Sequence, residues 1–111
     1  MSAASSHVLA AVFETVLERQ RTMPEKSYVA KLLRGGADAI GCKLAEETGE
    51  VIKAAREEGK QKLVRELADL YFHSLVLLAQ QGATLQDVEA ELAQRHGIGG
   101  LDEKAARKPK K

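Results

Sequence analysis

The sequence predicts an all-α fold, an antiparallel helix bundle of about four main helices completed by dimerisation. Three observations lead there. Apolar residues return in pairs every four positions, as in Val8, Leu9, Val12, Phe13, Val16 and Leu17, the spacing of one broad helix face. The chain is 44% hydrophobic but only 4% aromatic, without Trp, so its core is built from Leu, Val, Ile and Ala, which pack well between helices. No segment shows the sustained apolar–polar alternation of a strand. At 111 residues the chain suits one domain, and so small a domain gains stability from association.

The elements follow in order. Residues 1–6 are small and polar and read as a flexible N-terminus, with Ser5 or Ser6 placed to cap a first helix reaching about Gln20. Residues 7–97 form the helical domain. Pro24 interrupts the chain after the first helix, and a short helix over Ser27 to Arg34 carries Tyr28, Val29, Leu32 and Leu33 until Gly35-Gly36 stops it. A long helix then spans about Asp38 to Glu58, with Ile40, Leu44, Val51, Ala54 and Ala55 as its apolar stripe and Gly59 as its end. The next runs from about Lys60 to Gln81 along Leu63, Leu67, Leu70, Ser74, Leu75 and Leu78, and Gly82 stops it. Thr84 begins the last helix, with Asp87 at the capping-box offset; Leu85, Val88 and Leu92 face inward and Gly97 closes it. Residues 98–111 are a C-terminal segment, basic and mobile at its end.

The totals exclude several classes. A net charge of +1 gives no global attraction to nucleic acid or an anionic membrane, and the basic tail lacks interleaved aromatics or any nucleic-acid module. Val8 to Phe13 is too short for a membrane span and follows no basic region, so no signal peptide fits. Cys42 is the single cysteine, which rules out an intrachain disulfide and is compatible with a reducing cytoplasm. No reactive-thiol motif surrounds it.

The residues most suggestive of chemistry are acidic. Glu46, Glu47 and Glu50 lie on one predicted helix, Glu66 and Asp69 on the next. Positions three or four apart share a helix face, and like charges there repel by roughly a few tenths of a kcal/mol per pair. At about 100° per residue, Glu47 falls within the stripe of its helix, while Glu50, Glu66 and Asp69 flank the seams; Glu46 lies further out. A buried carboxylate must be paired, protonated or metal-bound. Lys43, Lys62 and Arg65 stand one turn before Glu47, Glu66 and Asp69 and offer ion pairs. Across the turn at Gly59 the two acidic pairs come to similar heights. A Mg²⁺ ion between them accounts for the clustering, since it takes oxygen ligands and brings phosphate with it. A solvated acidic face on a helix bundle is the competing reading.

Glu46-Glu47-Thr48-Gly49-Glu50 followed by Glu66-Leu67-Ala68-Asp69 resembles the signature of the all-α, MazG-like NTP pyrophosphohydrolases. Ser27-Tyr28-Val29-Ala30-Lys31-Leu32-Leu33, the run Glu66 to Leu78, Arg95-His96-Gly97 and Gly100-Leu101-Asp102-Glu103-Lys104 narrow the resemblance to the phosphoribosyl-ATP pyrophosphohydrolases, over about residues 8–107. The resemblance implies Mg²⁺-dependent hydrolysis of phosphoribosyl-ATP to phosphoribosyl-AMP and pyrophosphate, the second step of L-histidine biosynthesis, by a cytoplasmic homodimer. A house-cleaning (d)NTP pyrophosphohydrolase of the same superfamily and a non-catalytic helical interaction protein are the alternatives.

On this reading Glu47, Glu50, Glu66, Asp69 and Glu46 are the metal candidates, and Glu46 or Glu47 the general base. Lys31, Arg34 and Lys43 are candidates for substrate phosphates, Tyr28 for packing on the adenine, and Arg95 and Lys104, with His96, for closing the site. Core packing for Tyr28 and ordinary helix-end placement for the basic residues are the bland alternatives. His73, one turn after Asp69, either supports the site or is an ordinary half-buried histidine. Gly49 costs roughly 1 kcal/mol in a helix relative to Ala, which close approach of a helix or ligand would explain.

Overall fold

A computed structural model of the chain describes residues 7–97. Four helices make up the fold: α1 (Val8–Thr22), α2 (Tyr28–Lys53), α3 (Lys60–Gln80) and α4 (Leu85–Arg95). No strand occurs among the described residues. The expected caps Ser5 and Ser6, the C-terminal segment and Lys104 lie outside them. The first N-cap is instead His7, without a side-chain cap bond.

Local chemistry accounts for most boundaries. α1 runs on to Thr22 and stops at Met23, whose left-handed backbone (φ 49°) returns its N–H to the Arg19 carbonyl; Pro24 follows and cannot continue a helix. Ser27 caps α2, its hydroxyl accepting from the Ala30 N–H at 3.1 Å. The expected stop at Gly35-Gly36 is a kink: Gly36 adopts φ 79°, ψ −174° and helical bonding resumes directly after it. An L side chain strongly disfavours that backbone. Tyr28 thus sits before the kink and the acidic residues of α2 beyond it.

α2 ends in a π-helical turn, Ala54–Glu58, before Gly59 turns the chain at φ 91° and α3 begins at Lys60. So short a joint makes α2 and α3 an antiparallel hairpin, the most extensive helix pairing in the fold. The capping box on α4 forms as expected: the Asp87 N–H donates to Thr84 Oγ1 at 3.1 Å and the Thr84 N–H to Asp87 Oδ2 at 2.9 Å.

The core joins all four helices: Phe13 and Val16 of α1, Val29, Leu32 and Ile40 of α2, Leu75, Val76 and Ala79 of α3, and Leu85 of α4. Gln20 ties α1 to α3, its Nε2 donating to the Ala79 carbonyl at 3.1 Å. Several expected inward positions differ. On α3, Ser74 is exposed, whereas Glu66 and His73 are buried, so this helix is rotated to set polar groups against its neighbours. Ala55 on the π turn is exposed. Val88 and Leu92 on α4 are 39% and 50% exposed. A 3.6-residue period identifies an apolar face but not what covers it. Cys42 is exposed.

Candidate active site

The hairpin brings three carboxylates together. Ligand oxygens of Glu47 (α2), Glu66 and Asp69 (α3) all lie within 4.8 Å of one another. Glu66 is only 8% exposed, and its Oε2 receives Lys62 Nζ at 3.2 Å, the expected pair one turn back. Asp69 is exposed. The Glu47 side chain is half-buried, yet its Oε1 is shut off from solvent and has no hydrogen-bond partner. A buried carboxylate oxygen without a donor is costly. Burial, reinforced by the like charges of Asp69 and Glu66, pushes the Glu47 carboxyl above its ordinary range, against the opposing pull of His73 and Lys43. Three hard oxygen donors, from residues one of which also has a buried, unsatisfied oxygen, suit a hard divalent cation.

The other acidic candidates occupy the margin. Glu46 is exposed and accepts from Lys43 Nζ at 3.3 Å, so Lys43 pairs with Glu46 instead of with Glu47. Glu50 is exposed one turn beyond Glu47, outside the three-oxygen group. Among the described residues Arg65 makes no ion pair with Asp69, because Asp69 turns toward α2 instead.

The basic candidates are dispersed. Lys31 is exposed. Arg34 reaches back to the Glu25 carbonyl at 3.4 Å. Arg95 pairs with Glu91 at 2.8 Å, and His96 is exposed at the end of α4. Gly49 faces open space: a Cβ there meets nothing within 4 Å, so helix packing does not account for it.

One connection lay beyond sequence reasoning. His73 is 5% exposed, and both its nitrogens are engaged. Nδ1 lies 2.9 Å from the Asp69 carbonyl, an acceptor only, so Nδ1 carries a proton. In the neutral ring Nε2 then accepts from the Tyr28 hydroxyl at 2.8 Å. The four-residue offset from Asp69 hinted at the first bond. Nothing in the sequence signalled the second, between residues 45 positions apart.

Fold and site together define an all-α protein whose helix hairpin carries a compact acidic centre suited to a cation. Comparison with known proteins gives the family. Residues 9–96 match the family model of phosphoribosyl-ATP pyrophosphohydrolase. The chain is 49% identical over 102 residues to a phosphoribosyl-ATP pyrophosphatase of Chromobacterium violaceum, covering 92% of this chain and 94% of that one. It is 50% identical over 101 residues to the protein of that name from Nitrosospira multiformis, covering 91% and 84%. With that from Neisseria meningitidis serogroup C it shares 46% over 100 residues, covering 90% and 94%. The chain belongs to the phosphoribosyl-ATP pyrophosphohydrolase family.

Proposed function

We propose that this protein hydrolyses phosphoribosyl-ATP to phosphoribosyl-AMP and pyrophosphate, the second step of L-histidine biosynthesis, and that it does so with Mg²⁺. Family membership supports the reaction. Two observations carry the metal reading: oxygens of Glu47, Glu66 and Asp69 lie within 4.8 Å of one another, and Oε1 of Glu47 is buried without a hydrogen-bond partner. These three would hold the ion, with Glu50 within one turn and Glu46 at the rim. When bound, Mg²⁺ supplies charge neutralisation of the phosphate oxygens and lowers the pKa of a bound water.

The chain's own groups then divide the work. Of the two candidate bases, Glu47 is favoured over Glu46. Glu46 is already held by the Lys43 ammonium, whereas Glu47 lies in the acidic group itself and has two carboxylate oxygens, so one could face the cation and the other a water. Lys43, at the edge of the acidic group, faces the phosphate chain as a point charge, with Lys31, Arg34 and Arg95 further out.

The homodimer belongs to the same proposal. Val64, Ala68 and Tyr71 are exposed along α3, and the row continues into an apolar groove of about 450 Å³ lined by Leu9, Leu78, Leu85, Val88 and Leu92. A second copy covering this face would bury the residues that the single chain leaves exposed. No helix among the described residues is long and apolar enough to cross a membrane, and the cytoplasm is the proposed location.

The test compares pyrophosphate release from phosphoribosyl-ATP and from a panel of ribo- and deoxynucleoside triphosphates, each with and without Mg²⁺. Preference for phosphoribosyl-ATP, lost on chelation, is expected. Faster turnover of a free triphosphate would replace this reading with the house-cleaning one.

A further inference from the structure

We infer that Tyr28 is a rigid platform on which a purine base stacks, and that His73 is the positioning residue that fixes its plane. The inference deepens the proposed function and rests on it for the identity of the base. Tyr28 is 46% exposed although its ring is constrained on two sides. It stacks on Phe72, with centroids 6.3 Å apart and planes 19° from parallel. It meets His73 edge-on, at 5.8 Å and 83°. Its hydroxyl, the only group that would draw the ring toward water, is bound to the buried His73 Nε2 at 2.8 Å.

Both nitrogens of His73 are committed, so the imidazole cannot turn without breaking a bond to Tyr28 or to the Asp69 carbonyl. The result is an aromatic surface whose orientation is set before any ligand arrives. Pre-organisation of this kind saves the ordering cost of binding, and an exposed aromatic face accepts any base through stacking.

Position favours a nucleotide. From the Tyr28 hydroxyl to the Asp69 backbone the path is two hydrogen bonds and one imidazole ring, comparable to the reach from a base through its ribose to the α-phosphate. His73 thus links Tyr28 to the backbone of Asp69, whose carboxylate belongs to the acidic group, and a base on Tyr28 would have its phosphates within reach of that group.

The experiment uses the full chain and two probes, AMP, which carries the purine and α-phosphate of the product without its second phosphoribosyl group, and inorganic pyrophosphate, which has no base. In Tyr28→Leu, inhibition by AMP should weaken roughly tenfold, with pyrophosphate inhibition and the Mg²⁺ requirement unchanged and KM rising much more than kcat falls. Tyr28→Phe, which keeps the ring and loses the tether, should lie between Leu and the native enzyme, and His73→Gln should resemble it. A purely structural role would weaken both inhibitors together, and that result, or an unaltered AMP constant in Tyr28→Leu, overturns the inference. A second arm needs no change at the platform. The chain has two tyrosines, so ring-labelled protein assigned with Tyr71→Phe should show AMP shifting the Tyr28 resonances upfield and leaving Tyr71 in place. Shifts on neither ring overturn it as well. Absence of any turnover by the native protein, with AMP still shifting Tyr28, would instead fault the proposed reaction.

Discussion

Glu47 and Glu66 sit on opposite arms of a helix hairpin and bring carboxylate oxygens within 4.8 Å of each other, with Asp69 completing the group. Without a cation this is electrostatically unfavourable. Glu47→Gln should therefore lower hydrolysis by at least roughly 100-fold while raising the melting temperature in EDTA by roughly 2–5 °C. Calorimetric Mg²⁺ titration and thermal melts with and without chelator check both halves. Loss of activity together with loss of metal-free stability would contradict the account.

The same carboxylate sets a pH dependence. Burial raises the folded-state pKa of Glu47 above its ordinary value of 4.5. Between that value and the raised one the native state holds more protons than the unfolded chain. The contribution to stability is therefore complete at low pH and is lost as pH climbs through the folded pKa. In EDTA the native protein should lose melting temperature relative to Glu47→Gln as pH rises from about 4.5. A difference that stays constant with pH would count against it.

Two glycines of α2 should respond in opposite directions. Gly36 has φ 79°, so Gly36→Ala should cost about 1–2 kcal/mol. Gly49 is helical, and a Cβ there meets nothing within 4 Å, so Gly49→Ala should stabilise by up to about 1 kcal/mol. Urea unfolding midpoints decide each case.

The start of α4 depends on a two-way cap. Thr84→Ala removes the acceptor for the Asp87 N–H and should cost about 1 kcal/mol. Hydrogen exchange should show the loss concentrated in the first turn of α4.

Replacing Tyr71 or Leu92 with Arg places a charge in the exposed apolar face without touching the acidic group. If the proposed homodimer uses this face, sedimentation should show it converting to monomer, with α-helical content retained. An unchanged sedimentation profile would move the interface elsewhere.

Much of this was legible in the sequence because it is local. The 3.6-residue period, Gly59, Gly82 and the Thr84–Asp87 pair mark where helices run and stop, and the spacing of Glu47, Glu66 and Asp69 about one turn made their meeting derivable. What stayed hidden is non-local. The period treated Val88 and Leu92 like core residues because an exposed apolar face has the same pattern as a covered one. Lys43 chose Glu46 over Glu47, and Arg65 left Asp69 unpaired, because side-chain partners depend on which way the facing helix turns each acid. The Tyr28–His73 bond crosses 45 residues, and no pattern within a single helix encodes it.

The joint at Gly59 has an evolutionary consequence. Surface connectors usually tolerate extra length at small entropic expense. Here one inserted residue next to Gly59 that lengthened either helix would swing every side chain beyond it by about 100°, turning Glu66 and Asp69 away from Glu47. This exposed, chemically silent corner should consequently resist insertions and deletions as strictly as the acidic residues resist replacement.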